Sequence, residues 1–167
     1  MLLIVVVALA GCAPDVDTAI VRHDQAAVVE AVNGGVDLSQ RDARGFTPLH
    51  VAAFEENGAA ARALIEHGAA VDATDADGRT PLSIAAGRTA YAGVAQLLLA
   101  AGADPNRVDR SRRGPLHYAA ERGSVEIVQL LLAHGADATA RDADGRTPLQ
   151  AAAEHHQDGV VHLLARS

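Results

Sequence analysis

One tetrad recurs four times along the chain at nearly constant spacing. Thr47-Pro48-Leu49-His50, Thr80-Pro81-Leu82-Ser83, Gly114-Pro115-Leu116-His117 and Thr147-Pro148-Leu149-Gln150 follow one another at intervals of 33, 34 and 33 residues. A fixed period of that length marks an array of stacked units, each too thin to bury its own apolar face. The tetrad also has a local meaning. Threonine is a good helix N-cap, because its hydroxyl accepts from a backbone N–H that has no intrahelical partner. Proline beside it sits at the first helical position, where its missing donor costs nothing. Leucine then opens the buried stripe, and the small triplets that follow (Val51-Ala52-Ala53, Ile84-Ala85-Ala86, Tyr118-Ala119-Ala120, Ala151-Ala152-Ala153) let the next unit approach closely.

A second apolar block follows each tetrad, seen as Leu97-Leu98-Leu99 and Leu130-Leu131-Leu132, and predicts a second helix antiparallel to the first. Gly68, Gly102 and Gly135 then end that helix in the left-handed conformation that glycine adopts cheaply. Asp75-Ala76-Asp77-Gly78 and Asp142-Ala143-Asp144-Gly145 are tight turns leading into the next tetrad. Helix, helix, turn, in register over several independent positions, resembles the ankyrin repeat. The resemblance implies an all-α solenoid of helix-turn-helix units joined by β-turn fingers. One weaker copy extends it, and the last unit turns polar. Thr18 to His23 and Ala26 to Val32, closed by Gly34-Gly35-Val36-Asp37, look like an N-terminal capping unit; the polar run His155, His156, Gln157, Asp158 and His162 suits a C-terminal cap. The expected organisation is a repeat domain over residues 15–167, divided as 15–41, 42–74, 75–108, 109–141 and 142–167.

The pattern breaks in three places. In the fourth unit Gly114 replaces the capping threonine, and Arg112 takes the glycine position of the turn, so the finger Asp109 to Arg113 is expected to differ in shape from its neighbours. The third unit carries one extra residue between its helices, within Gly87 to Gly93. The second has Glu56 where an inter-helix glycine is expected.

Composition agrees with thin units. Hydrophobic residues make up 49% and aromatics only 2%, so the core is alanine, leucine and valine. The formal charge is −7, and all 14 basic residues are arginine. An acidic chain argues against general nucleic-acid binding, which needs a basic face. No stretch reaches the ~20 apolar residues of a membrane-spanning helix. Leu2 to Ala10 is an unbroken apolar run of the length of a secretory h-region, and Leu9-Ala10-Gly11-Cys12 resembles a bacterial lipobox. That resemblance implies a signal peptide over 1–11 cleaved before Cys12, lipid attached to Cys12, a short tether over 12–17, and a place on the envelope facing the periplasm, with Ala13 favouring the outer membrane. A soluble secreted or periplasmic protein is the alternative. Met1 leads straight into Leu2 with no basic residue ahead. That leaves a true start further upstream or an inactive signal. From Cys12 to Thr18 the tether reaches roughly 20 Å when extended.

Residues that could carry chemistry are absorbed by the repeat. The resemblance gives His50 and His117 a structural bond to the turn, and His67 and His134 precede a helix-ending glycine, where a histidine suits the helix C-terminus. His155, His156 and His162 lack the spacing of a zinc motif, and neither a nucleophile elbow nor a phosphate-binding glycine loop is present. No catalysis, metal or cofactor is expected. The resemblance implies instead a monomer that binds another protein through its fingers and first helices. Matching positions are Arg44, Phe46, Phe54 and Glu55 in the second unit, Ala76, Asp77, Arg79 and Arg88 in the third, and Arg110, Ser111, Arg113, Arg122, Asp144 and Arg146 in the last two. Phe46 and Phe54 fall at surface-variable positions, with packing under the finger as the other account. Arg107, Arg110, Arg112, Arg113 and Arg122 crowd one finger of an acidic protein and would meet an acidic patch on the partner. Two roles fit: an envelope adaptor that tethers or stabilises its partner, or an inhibitor or immunity factor that blocks a toxic enzyme.

Overall fold

The computed structural model describes residues 15–88 and 92–166. Ten helices lie among them: α1 (Val16–Val21), α2 (Gln25–Asn33), α3 (Pro48–Phe54), α4 (Gly58–Glu66), α5 (Pro81–Ala86), α6 (Ala92–Ala100), α7 (Pro115–Arg122), α8 (Val125–Ala133), α9 (Pro148–Glu154) and α10 (Asp158–Leu164). Each odd-numbered helix packs on the even-numbered helix that follows it. The odd helices also contact one another in series, as do the even ones, so the molecule is two parallel rows. None of these helices is long and apolar enough to cross a membrane. The apolar run, Cys12 and most of the tether lie outside the described residues.

The stack is tight because its contact residues are small. Ala52 and Ala53 of α3, Ala85 and Ala86 of α5, Ala119 and Ala120 of α7, and Ala151 and Ala152 of α9 are all buried, while Leu49, Leu64, Leu82, Leu98 and Leu131 fill the space between rows. Ala153 is exposed, since α9 is the last of the odd-numbered helices among the described residues. The first helix pair begins earlier than its apolar pattern suggests, because Asp15 caps α1 by accepting from the N–H groups of Asp17 and Thr18 at 2.8 and 3.3 Å.

Neighbouring units are pinned by side chains that reach back or forward by one repeat. Asn57, the N-cap of α4, donates to the carbonyl of Ile20 at 3.1 Å, and Gln157, the N-cap of α10, donates to that of Glu121 at 3.2 Å. His50 Nδ1 accepts from the Thr47 N–H at 3.2 Å, which puts the ring proton on Nε2, 3.0 Å from the carbonyl of Arg79. His117 does the same between the Gly114 N–H and the carbonyl of Arg146, at 3.3 and 3.2 Å. Burial pushes both imidazoles below their usual pKa, with the bond to the next finger opposing it, so the tautomer is held neutral. His67, His134 and His155 do a different task. Each sets Nδ1 2.8–2.9 Å from the carbonyl four residues earlier and closes a helix C-terminus.

Two expected irregularities are corrected. The turn between helices is left-handed at His23, Glu56, Gly123 and His156 alike, with φ of 54°, 55°, 77° and 56°, so Glu56 occupies the conformation a glycine would have taken. Arg112 likewise sits at φ 58°, and its finger keeps the shape of its neighbours. The Arg112 N–H reaches the Asp109 carbonyl at 2.9 Å, as the Gly78 N–H reaches that of Asp75 at 3.1 Å. A left-handed non-glycine residue costs about 1 kcal/mol, which the rest of the turn absorbs. The extra residue of the third unit lies in the stretch 87–93, of which 89–91 are outside the described residues.

Candidate functional site

The fingers are built on aspartates. Oδ1 of Asp42, Asp75, Asp109 and Asp142 each accepts from the N–H groups two and four residues on, at 2.8–2.9 Å. Burial raises the pKa of Asp42 and Asp142, but those N–H donors and the neighbouring guanidinium outweigh it and hold both carboxyls below their usual range. Consecutive fingers are then linked through the backbone in one register. The N–H groups of Ala76, Arg110 and Ala143 donate to the carbonyls of Arg44, Asp77 and Ser111 at 3.2, 3.0 and 2.8 Å. Ala76, Arg110, Ser111 and Asp144 stand exposed on the finger tips.

The residue after each turn faces the end of the first helix, eight positions later. That spacing organises the candidate surface. In the fourth and fifth units the pair is ionic: Arg113 with Glu121 at 2.5 Å, and Arg146 with Glu154 at 3.1 Å. In the second unit it is aromatic, with the Phe46 and Phe54 rings 6.2 Å apart and edge to face. In the third unit the partner of Arg79 is Gly87, and nothing crosses. Arg79 stays on its own turn, 2.8 Å from Asp75 and 3.1 Å from Asp77. Arg146 bonds Asp142 and Asp144 in the same way.

Tyr118 breaks the symmetry of the arginines. Its hydroxyl donates to Asp109 Oδ2 at 2.5 Å, taking the oxygen that Arg79 and Arg146 hold in their own fingers. Burial and that bond push the phenol above its ordinary range. Arg113 is displaced onto Glu121, lies over the Tyr118 ring at 4.2 Å from its centroid, and leaves a buried Nε without a hydrogen-bond partner. A second stacked layer lies two units earlier, on the rings of the second unit. Arg44 covers Phe46 at 4.2 Å, and Arg88 covers Phe54 at 4.6 Å while reaching Glu56 at 3.4 Å.

Between these layers lies a groove of roughly 480 Å³. Five of the residues expected to meet a partner line it: Phe54, Arg79, Arg88, Arg113 and Arg122. Sequence reasoning did not assign its floor, formed by Ser83, Ile84 and Gly87, or its far wall of Tyr118, Glu121 and His155. The eight-residue spacing was the signal that would have found Gly87 and Glu121. Phe46 is corrected outright. It is only 3% exposed, stacked on His50 at 5.4 Å, and belongs to the core beneath the finger. Phe54 is half-buried and keeps a face in the groove. Glu55, the C-cap of α3, has no side-chain hydrogen bond or ion pair among the described residues. Asp77 and Asp144 are exposed but tied to Arg79 and Arg146, so neither is a free charge. Among the described residues no three histidine, cysteine or acidic side chains are grouped to hold a metal ion. What the groove offers is cation-rich walls on aromatic and aliphatic faces, suited to gripping an anion beside an apolar group.

A family model described as ankyrin repeats (three copies) matches residues 18–109 and again 88–167. The match spans both helix rows and every finger described above, and with this architecture it makes the chain a member of the ankyrin repeat family, whose arrays are protein-protein interaction modules.

Proposed function

We propose that the protein is an adaptor of the bacterial envelope, holding or stabilising one partner protein against the face made by its fingers and first helices. The observation that carries this reading is the clustering of Arg79, Arg88, Arg113 and Arg122 along one groove of a chain whose formal charge is −7. Opposed potentials on two surfaces steer encounter and suppress wrong partners. Arg110 and Arg122 extend the basic stripe from finger tip to helix end, both exposed and without side-chain partners among the described residues. Asp77, Asp144 and Arg146 frame it with fixed, paired charges. The lipobox-like tetrad before Cys12 supports a lipid anchor there, which would keep the array within a short reach of the membrane.

Two measurements test the proposal. Mass spectrometry of the membrane fraction should find acylated Cys12 as the mature N-terminus; unmodified Cys12 in a soluble protein would contradict the anchor. The partner, identified by crosslinking in native envelopes, should associate at least about tenfold more slowly with Arg110→Glu/Arg122→Glu, and the gap should narrow as salt rises. Equal rates would remove the basic stripe from the account.

A further inference from the structure

The groove exists because one side chain is missing. Wherever the other units pass from finger to helix end, a residue eight positions after the turn closes the gap: Phe54, Glu121 or Glu154. At the corresponding place in the third unit stands Gly87. Its backbone does not require glycine, since φ is −77° and an added Cβ would meet its nearest neighbours at an ordinary 3.5–3.7 Å. The vacancy is therefore not explained by a turn or by a close backbone approach. The junction it opens onto also lacks the histidine-to-finger bond that His50 and His117 make in the second and fourth units. Ser83 stands at the position of His50 and His117, and its hydroxyl is spent on Thr80 at 3.2 Å.

We infer that this gap is a built recess for a short acidic segment of the partner, taking one apolar side chain, preferably aromatic, beside a carboxylate. This deepens the adaptor reading and rests on it. The apolar side chain lies on Ile84 and Gly87, between the rings of Phe54 and Tyr118. The carboxylate meets the guanidinium walls, where Arg79 is already held by Asp75 and Asp77 and Arg113 by Glu121, so the new anion falls to Arg88 and Arg122. Among the described residues Arg122 has no side-chain partner to give up, and Arg88 holds only a 3.4 Å contact with Glu56, so both are available to a new anion. The Arg88 and Arg113 guanidiniums sit over the Phe54 and Tyr118 rings, 4.6 and 4.2 Å from their centroids, which restrains them before the partner arrives and reduces the ordering that binding requires. The volume falls within the ~300–1,000 Å³ of ordinary ligand recesses.

The test titrates the ¹⁵N-labelled full chain with the peptide acetyl-Gly-Glu-Phe-Glu-Gly-amide and follows backbone amide shifts. Saturable shifts are expected on residues 83–88 and 118–122, at least about tenfold weaker with the Gln-Phe-Gln peptide, a loss of about 1.4 kcal/mol. Gly87→Glu should fill the recess, pair with Arg79 and abolish the shifts. Gly87→Ala adds only a Cβ that fits and should bind as the native chain does. Shifts elsewhere on the surface, equal binding of the two peptides, or native binding by Gly87→Glu would each overturn the inference. So would inorganic phosphate moving the same amides as strongly, because the apolar half would then be idle. With the captured partner, loss of binding in Arg110→Glu/Arg122→Glu but native affinity in Gly87→Glu refutes the recess alone; native affinity in both variants refutes the finger-face adaptor itself.

Discussion

Alanine substitution at the finger glycines should cost different amounts at three positions that are equivalent in sequence. Gly45, Gly78 and Gly145 share nearly the same backbone, with φ of 77°, 86° and 78°. An alanine there bears about 1 kcal/mol of left-handed strain in each case. The three differ in how closely the next finger approaches. A Cβ on Gly45 would lie 2.6 Å from the backbone nitrogen of Ala76; on Gly78 it would lie 3.2 Å from that of Arg110; on Gly145 it meets nothing within 4 Å. Those nitrogens are the ones that link successive fingers, to Arg44 at 3.2 Å and to Asp77 at 3.0 Å. Relieving the first clash means separating two fingers and losing a hydrogen bond of about 1 kcal/mol, with some packing beside it. The expected losses are therefore about 2–3 kcal/mol for Gly45→Ala, about 1.5 for Gly78→Ala and about 1 for Gly145→Ala. Urea unfolding followed by far-UV circular dichroism reads them as midpoint shifts, provided the slope is unchanged. Gly145→Ala costing as much as Gly45→Ala would refute the claim that finger stacking, rather than the turn alone, requires glycine.

Titrating and bridging groups give further expected outcomes. Asp17 is raised from 3.8 to about 6 by burial, with Asp15 and Asp42 adding to it and Arg44 opposing, and its Oδ1 is buried without a partner. A folded pKa above the unfolded one makes the charged form a liability that is fully present above about pH 6 and vanishes as pH falls towards 3.8. Asp17→Asn should thus stabilise by about 1 kcal/mol at pH 7, after allowance for its half-exposed side chain, and by almost nothing near pH 3.5; a gain independent of pH would contradict this. His50 and His117 have lowered pKa values, so their contribution is full above 6.5 and falls as pH drops below it; replacing both with glutamine should flatten that acid limb. Tyr118→Phe frees Asp109 Oδ2 for Arg113, whose Nε then gains an acceptor. The net loss should stay below about 1.5 kcal/mol, and a double-mutant cycle between positions 109 and 113 should show coupling that strengthens once Tyr118→Phe is present; unchanged coupling would remove Tyr118 as the cause of the displaced arginine.

The repeating parts of the molecule were legible because local chemistry and periodicity say the same thing there. Thr80 and Thr147 cap their helices as read, Gly68, Gly102 and Gly135 take the left-handed conformation, and the alanine triplets lie where units touch. The departures were harder. Arg112 points to a reshaped finger and Glu56 stands where a glycine is expected, yet both adopt the glycine conformation, since the stacked fingers and helices on either side outweigh a strain of about 1 kcal/mol. Phe46 looked like a surface residue because its counterparts in the later units are arginines; only the structure shows that it replaces an ion pair with a ring pair and stays inside. Gly87 and Tyr118 were invisible as site residues for the opposite reason. One matters through the side chain it lacks, the other through an oxygen it takes from a neighbour's usual partner, and neither leaves a motif.

The central claim is that the finger face is the one that binds. A photo-crosslinking amino acid placed at Arg122, on the groove, or at Gln129, exposed on α8 in the opposite row, separates that face from the rest. Irradiation in native envelopes should give one discrete adduct from position 122 and none of that mass from position 129. The same adduct from position 129, with none from 122, would contradict the account.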